Sequence, residues 1–464
     1  MSSDRQERKA MCIQWIMILL FGGAAFSLCF NNNIWTDEAF TMQLLQQDVM
    51  GIVKGTAADV HPPLYYLIAK GFQFLFGPSM FVQKVASIIP AVLTLLLGAT
   101  KIKKLFGYRV SGIFILLLAI LPCTFVHAIQ PRMYTWGLLF VTICGVYAYD
   151  VYLDASWKKW CMMLLFGTAS AYTHYFALLS VAYIYLILLF ALFLKKRKQI
   201  KNWFIMAIIT TILYLPWLWV WLKQLLTVAQ DYCIPNITMQ TIWSYAQFVF
   251  QTSTPYSTVL FLILFVIAMS GLLAAILKKR EEEDCFAFAC LLVPIATTVA
   301  GVVLSFLIRP IYSDRYVYPA MGLLALSFAI AVKYWRFPVV MSLCLFLGAT
   351  GIAQYKDTYQ QEYCDTKVVE TEQFFKEHLG ERDIILYNFT GYGFIYEHYW
   401  SKDILAYIED FDFGREYDTI WFLDSHNYPN LPEDALTKYH LKQEFMGMYG
   451  IEHNEFEIYK ITRQ

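Results

Sequence analysis

Apolar runs of about 18 or more residues, the length a helix needs to cross a bilayer, recur along almost three quarters of this chain. The first is Met11 to Phe30, and the others lie near 79–100, 110–128, 133–152, 160–175, 176–194, 203–222, 257–277, 285–308, 317–332 and 338–354. Composition supports lipid rather than water as the surroundings. Charged residues supply 16% of the 464 residues and hydrophobic ones 58%, whereas soluble domains carry roughly 25% charged residues. So little polar surface cannot cover several water-soluble domains. The formal net charge of +0 removes any general case for a nucleic-acid partner. The ten cysteines are scattered, mostly inside apolar runs, with no CxxC pair and no zinc-site spacing. Cys233 and Cys364 both fall in outer segments, and nothing in the sequence says whether they pair.

Sidedness follows from the loops, because Lys and Arg mark the cytoplasmic side. Basic clusters occur at Lys101/Lys103/Lys104, Lys158/Lys159, Lys195–Lys198, Lys278–Arg280 and Lys333/Arg336. Each falls on every second loop, the side of the basic N-terminus with its Arg5, Arg8 and Lys9. No small-x-small cleavage site follows the first run, which therefore reads as a retained anchor. The pattern predicts a polytopic α-helical protein of about eleven spans in the plasma membrane, N-terminus cytoplasmic and C-terminus outside. Residues 1–353 would form the membrane module, and 354–464 a small extracytoplasmic α/β domain. In that domain Lys367 to Leu379 predicts an amphipathic helix ending at Gly380. Asp383–Tyr387, Thr419–Leu423 and Phe456–Ile461 predict strands. Asn236-Ile-Thr238 and Asn388-Phe-Thr390 match glycosylation acceptors, which carry no meaning in a bacterial host.

The candidate chemistry collects on the outer face. In the first outer loop, 31–78, stands Trp35-Thr36-Asp37-Glu38-Ala39. Adjacent carboxylates beside a membrane helix can act as a general base with an orienting or metal-binding partner, or simply start a helix. Asp59-Val60-His61-Pro62-Pro63-Leu64-Tyr65-Tyr66 follows. His61 and Asp59 beside a rigid diproline could orient a phosphate or a sugar, or the motif could be a helix start. Leu64 to Phe76 beyond it reads as an amphipathic helix too short to span. Arg132, in Gln130-Pro131-Arg132-Met133-Tyr134, begins a span, as does Arg315 in Ser313-Asp314-Arg315-Tyr316. Each could grip a phosphate in a planar two-point contact or snorkel to headgroups, and Asp314 could neutralise Arg315. His174, in Tyr172-Thr173-His174-Tyr175-Phe176, ends a span on the same face, as a ligand or as a structural histidine. Convergence of all these groups on one side separates a catalytic face from a transporter, which would place ionisable residues near the midplane between paired repeats. A lipid or small-molecule transporter or flippase remains the alternative. A non-catalytic scaffold leaves Arg132 and the Asp-Glu pair unexplained.

Taken together, these stretches resemble the polytopic, polyprenyl-phosphate-sugar-dependent glycosyltransferases of the GT-C superfamily, a group that includes protein O-mannosyltransferases and the aminoarabinose transferase of lipid A. The resemblance runs over roughly residues 30–330: Trp35, Asp37, Glu38 and Ala39, then Asp59 through Tyr66, Arg132-Met133-Tyr134, and Tyr172 to Phe176. It implies a GT-C fold with its active site at the outer membrane face. It further implies Asp37 as catalytic base with Glu38 as partner, and His61 near the donor phosphate held by Arg132 and Arg315. Asp59, Tyr65, Tyr134 and His174 complete the implied substrate-binding set. The partners would be a polyprenyl-phosphate-linked sugar, a lipid, glycan or protein acceptor, and membrane lipids. No cofactor is required, and a divalent metal is left open. One position departs from the family pattern: Gln130 stands where a Glu is common, which puts any acid or metal role there in doubt.

Overall fold

The computed structural model describes residues 2–31, 33–227, 236–250, 255–279, 281–308, 310–363, 366–425, 428, 430–452 and 454–464. Cys233 and Cys364 lie outside the described residues. The chain forms two compact units, one of residues 1–30 and 48–358, the other of residues 31–47 and 359–464. The sequence draws a single boundary at 354. The structure instead assigns the start of the first outer loop, with Asp37 and Glu38, to the unit that holds the C-terminal residues.

The first unit is a helical membrane body. Among the described residues, seven helices are long and apolar enough to cross a membrane: Glu7–Ser27, Met80–Ile120, Tyr134–Leu153, Tyr175–Lys195, Arg197–Leu225, Glu282–Leu307 and Pro338–Gln360. Helices occupy all eleven predicted span positions. Met80–Ile120 contains two of them, parted at Gly107, whose φ of +83° no β-carbon tolerates easily. Trp157–Ala171 and Met321–Ala331 are shorter, at 15 and 11 residues. The outward faces carry Leu19, Phe190, Trp219, Val266 and Leu345, all more than half exposed. Such an apolar surface is stable against lipid tails and not against water. Inward, small residues let helices approach closely: a β-carbon on Gly322 would stand 1.9 Å from Thr142 Oγ1. Three of the basic clusters are tied to acids. Asp150, 4% exposed, is paired with both Lys101 and Lys159, and Lys333 reaches Glu283 at 2.7 Å and Asp284 at 3.4 Å. Sidedness reads Lys and Arg rather than net charge, so this pairing leaves the topology expectation unaltered.

The outer-loop segment of this unit begins with the helix Val49–Ala58, capped by Asp48, whose carboxylate accepts Gly51 N–H. The predicted amphipathic helix is Leu64–Phe76, entered through Pro62-Pro63. A proline immediately before the first turn suits a position with no helical acceptor for its missing N–H. The Leu64 N–H donates to Tyr172 C=O at 3.0 Å, which ties the histidine motif to the segment before His174.

The second unit is a mixed five-stranded sheet with helices. Its strands are β1 (Ile384–Tyr387), β2 (Leu405–Tyr407), β3 (Ile420–Asp424), β4 (Leu441–Ile451) and β5 (Asn454–Arg463), in spatial order β2-β1-β3-β5-β4. The three on the β2-β1-β3 side run parallel, and β5 lies antiparallel to both β3 and β4. β1, β3 and β5 coincide with the predicted strands, and the predicted helix is Thr366–His378. β2 and β4 were not legible. Lys442 and Glu444 stand near the start of β4, and an irregularity between Phe445 and Gly447 breaks its period-two alternation. Asn388 is buried, donating to Asp424 and Ser425 and accepting Ser425 N–H, so this sequon side chain is a structural strut.

In the same unit the helix Thr36–Leu44 packs on the helix Gly393–Tyr399. Phe40 meets Phe394 edge-on at 5.8 Å, Gln43 donates to Glu397, and Ile34 N–H donates to Glu452 at 2.6 Å.

Candidate active site

Three of the predicted site residues, Asp59, His61 and Arg132, join in the membrane unit in one chain of polar contacts. His61 Nδ1 lies 2.8 Å from Asp59 Oδ2, and its Nε2 lies 3.5 Å from Arg132 Nη2. Arg132 Nη1 donates to Tyr66 OH at 3.2 Å. An arginine always donates, so in this contact His61 Nε2 accepts while Nδ1–H donates to Asp59. Burial works against ionisation of Asp59. The neighbouring His61, Arg132 and the Val60 amide outweigh it and hold its carboxyl below the ordinary value. His174 stands 6.0 Å from His61, ring to ring. It caps the helix Tyr175–Lys195, its Nδ1 accepting Phe176 N–H at 3.2 Å, which leaves Nε2 to carry the proton. Tyr134 is packed 6.1 Å from the His174 ring, and Tyr316 5.0 Å from it, which brings the Arg315 segment to the same place. Asp314 spends its carboxylate on the Arg315 backbone N–H and on Ser313 Oγ. Tyr65 is buried against Tyr66.

Arg132 is only 2% exposed. A snorkelling arginine keeps its head in water or headgroups, so burial this deep favours a role inside the protein. Beside it opens a cavity of about 340 Å³ whose polar residues include His61, His174 and Gln224 and whose walls include Phe176, Leu304 and Ile308. Gln224 closes one side by donating to the carbonyls of Thr56, Ala57 and Asp59.

Three residues escaped the sequence reading. Besides Gln224, Lys84 is 1% exposed, one turn before Ser87, whose carbonyl accepts from Thr135 three residues beyond Arg132. A lysine just inside an apolar helix was the available signal. His127 is packed between Tyr134 and Tyr318 at 4.8 and 4.5 Å, with Nδ1 at 2.8 Å from Gln130 Oε1. Gln130, the departure from the family pattern, thus orients a buried histidine.

Asp37 and Glu38 belong to the other unit. Trp35 caps their helix, and Glu38, 4% exposed, folds back so that Oε2 accepts Trp35 N–H at 3.3 Å. That contact is the reciprocal half of a capping box. Asp37 is more exposed than Glu38, and its backbone carbonyl accepts from Thr41 Oγ1 at 3.0 Å. Among the described residues no three or more His, Cys, Asp or Glu side chains group as a metal site.

No family model matches the sequence, and no curated protein matches it either. Solved structures do match. ArnT from Cupriavidus metallidurans bound to undecaprenyl phosphate superposes with a TM-score of 0.62 at 10% identity, over 96% of this chain and 98% of that one. The chain has the fold of ArnT. Apo ArnT gives 0.61 at 10% identity, over 96% of this chain and 97% of that one. The ArnT-like fold thus takes in both compact units.

The Asp59–His61 pair makes the site acid-sensitive in a definite direction. A carboxyl held below its ordinary value contributes stability above that value, about 3.9, and loses it as pH falls through the lower folded value. Asp59→Asn should therefore melt below the wild type at pH 6–7 in detergent. The gap should narrow as the pH falls below about 4. A gap that stays constant down to pH 3 would show that the Asp59 charge does not support the fold.

Proposed function

We propose that the protein is a membrane glycosyltransferase that moves a sugar from a polyprenyl-phosphate donor to an acceptor hydroxyl at the outer membrane face. The carrying observation is the Asp59–His61–Arg132 chain, its His61 and Arg132 buried, beside an apolar cavity within a fold shared with ArnT, a protein solved with undecaprenyl phosphate bound. A cationic, hydrogen-bonding end beside an apolar space suits a lipid phosphate better than it suits a freely soluble nucleotide. In this reading the N-terminus is cytoplasmic and the second unit extracytoplasmic, in the plasma membrane.

In the reaction, Asp37 takes the proton of the acceptor hydroxyl as its oxygen attacks the anomeric carbon. The bond from that carbon to the phosphate oxygen breaks, and polyprenyl phosphate leaves with the electron pair. A single in-line displacement inverts the anomeric centre. Arg132, oriented by Tyr66 and His61, and Arg315 stabilise the charge gathering on the departing phosphate. His174 and Tyr134 line the donor site, with Tyr65 behind them, and Glu38 keeps the helix bearing Asp37 in place.

The test is reconstitution in vesicles with a synthetic polyprenyl-phosphate sugar and a cell-envelope lipid or glycan extract. Release of polyprenyl phosphate with a new glycoside of opposite anomeric configuration is the expected result. Movement of intact donor across the bilayer without cleavage would overturn the reading and establish a flippase.

A further inference from the structure

Glu452 sits immediately after β4 in the turn into β5, with a φ of +56°. Turns with positive φ favour Gly, Asn or Asp, and a glutamate there is strained. Strain of this kind persists where the surroundings demand that side chain. The demand is visible: Glu452 Oε1 accepts the backbone N–H of Ile34 at 2.6 Å, a charge-assisted contact across 418 residues of sequence. One residue on, Trp35 N–H is taken by Glu38. Two consecutive amides at the entrance of the helix Thr36–Leu44 are thus each held by a carboxylate, one from the helix itself and one from the hairpin. Further along, Gln43 donates to Glu397, and Phe40 packs on Phe394. The entrance and the far end of this helix are both anchored on the C-terminal fold, and Asp37 lies between the two anchors.

We propose that Glu452 is a positioning residue: it accepts a poor turn conformation so that the β4–β5 hairpin can fix the entrance of the helix that presents Asp37. The C-terminal unit then serves the reaction through that helix. The catalytic part of this inference rests on Asp37 being the base; the structural part does not.

The discriminating variant is Glu452→Asn, which improves the turn chemistry and is too short to reach Ile34. The full-length protein in detergent should melt at or above the wild-type temperature. Hydrogen exchange in the peptide covering 31–47 should nonetheless become faster. Sugar transfer should lose about tenfold or more in kcat with little change in KM for the polyprenyl-phosphate donor. Glu452→Gln, which keeps the reach and a carbonyl acceptor, should restore most of both. Unchanged exchange in 31–47 for the Asn variant would overturn the proposal, as would wild-type kcat. Should no donor support transfer by the wild type, the glycosyltransferase reading fails, and the exchange result still decides whether Glu452 anchors the helix.

Discussion

Asp37→Asn should lower sugar transfer by about 10²–10⁴ in turnover while leaving donor binding and the melting temperature close to wild type. The local structure separates the two roles an acidic residue can play at a helix start. The entrance amide of Trp35 is held by Glu38, and that of Ile34 by Glu452, so neither depends on the Asp37 carboxylate. What Asp37 gives the helix is a favourable charge in its first turn, worth typically 0.3–1 kcal/mol. Asparagine keeps the size and most hydrogen bonding and gives up that charge and the ability to take a proton. Glu38→Gln is the instructive control. It weakens the Trp35 N–H contact and should lower stability by up to about 1 kcal/mol with a smaller effect on turnover. Transfer at wild-type rates by Asp37→Asn, in an assay where the wild type turns over, would reduce Asp37 to a helix-end charge.

Arg132→Lys should cost roughly ten- to more than a hundredfold in kcat/KM for the polyprenyl-phosphate donor. Lysine supplies the charge, and at a headgroup-facing position it would be an adequate replacement. Arg132 is not at such a position. It is 2% exposed, with one guanidinium nitrogen on Tyr66 OH and another 3.5 Å from His61 Nε2. A planar fork oriented by two partners can still present a defined edge to a phosphate, whereas an ammonium is a point charge that cannot satisfy all three. The loss of one charge-assisted contact, about 1.5–3 kcal/mol, sets the expected range. Steady-state transfer by purified proteins of matched melting temperature measures it. Equal efficiencies would move the phosphate role to Arg315.

The membrane helices were legible because the apolar runs are long, a signal that depends on the bilayer rather than on packing detail. The site was legible in part for a related reason. Asp59, His61 and Tyr66 are nearly consecutive in sequence, and Arg132 and His174 lie at starts of helices on one predicted face. What the sequence hid were lone polar residues inside apolar runs. Lys84, His127 and Gln224 each read as an isolated interruption, and only packing shows that Gln224 spans three carbonyls and that His127 is clasped by Gln130. The partition of the chain was hidden most deeply. No periodicity within 31–47 announces that its neighbours are residues 393–399 and 452, because that association is written in side chains hundreds of positions apart.

That separation has a consequence for biogenesis. Gln43 and Glu397 are 354 residues apart in sequence, and at synthesis rates of about 5–20 residues per second the interval between them is roughly 20–70 seconds. Throughout it, the helix destined to present Asp37 has been made and has no partner. The intervening membrane helices can be inserted one by one while this short segment waits. A protein cut short before residue 393 would therefore be a membrane body whose acidic helix has neither Phe394 nor Glu397 to pack on. Nascent chains would pass through that same form, so on the proposed function transfer should switch on only after the residues that hold this helix, Glu452 the last of them, have been made.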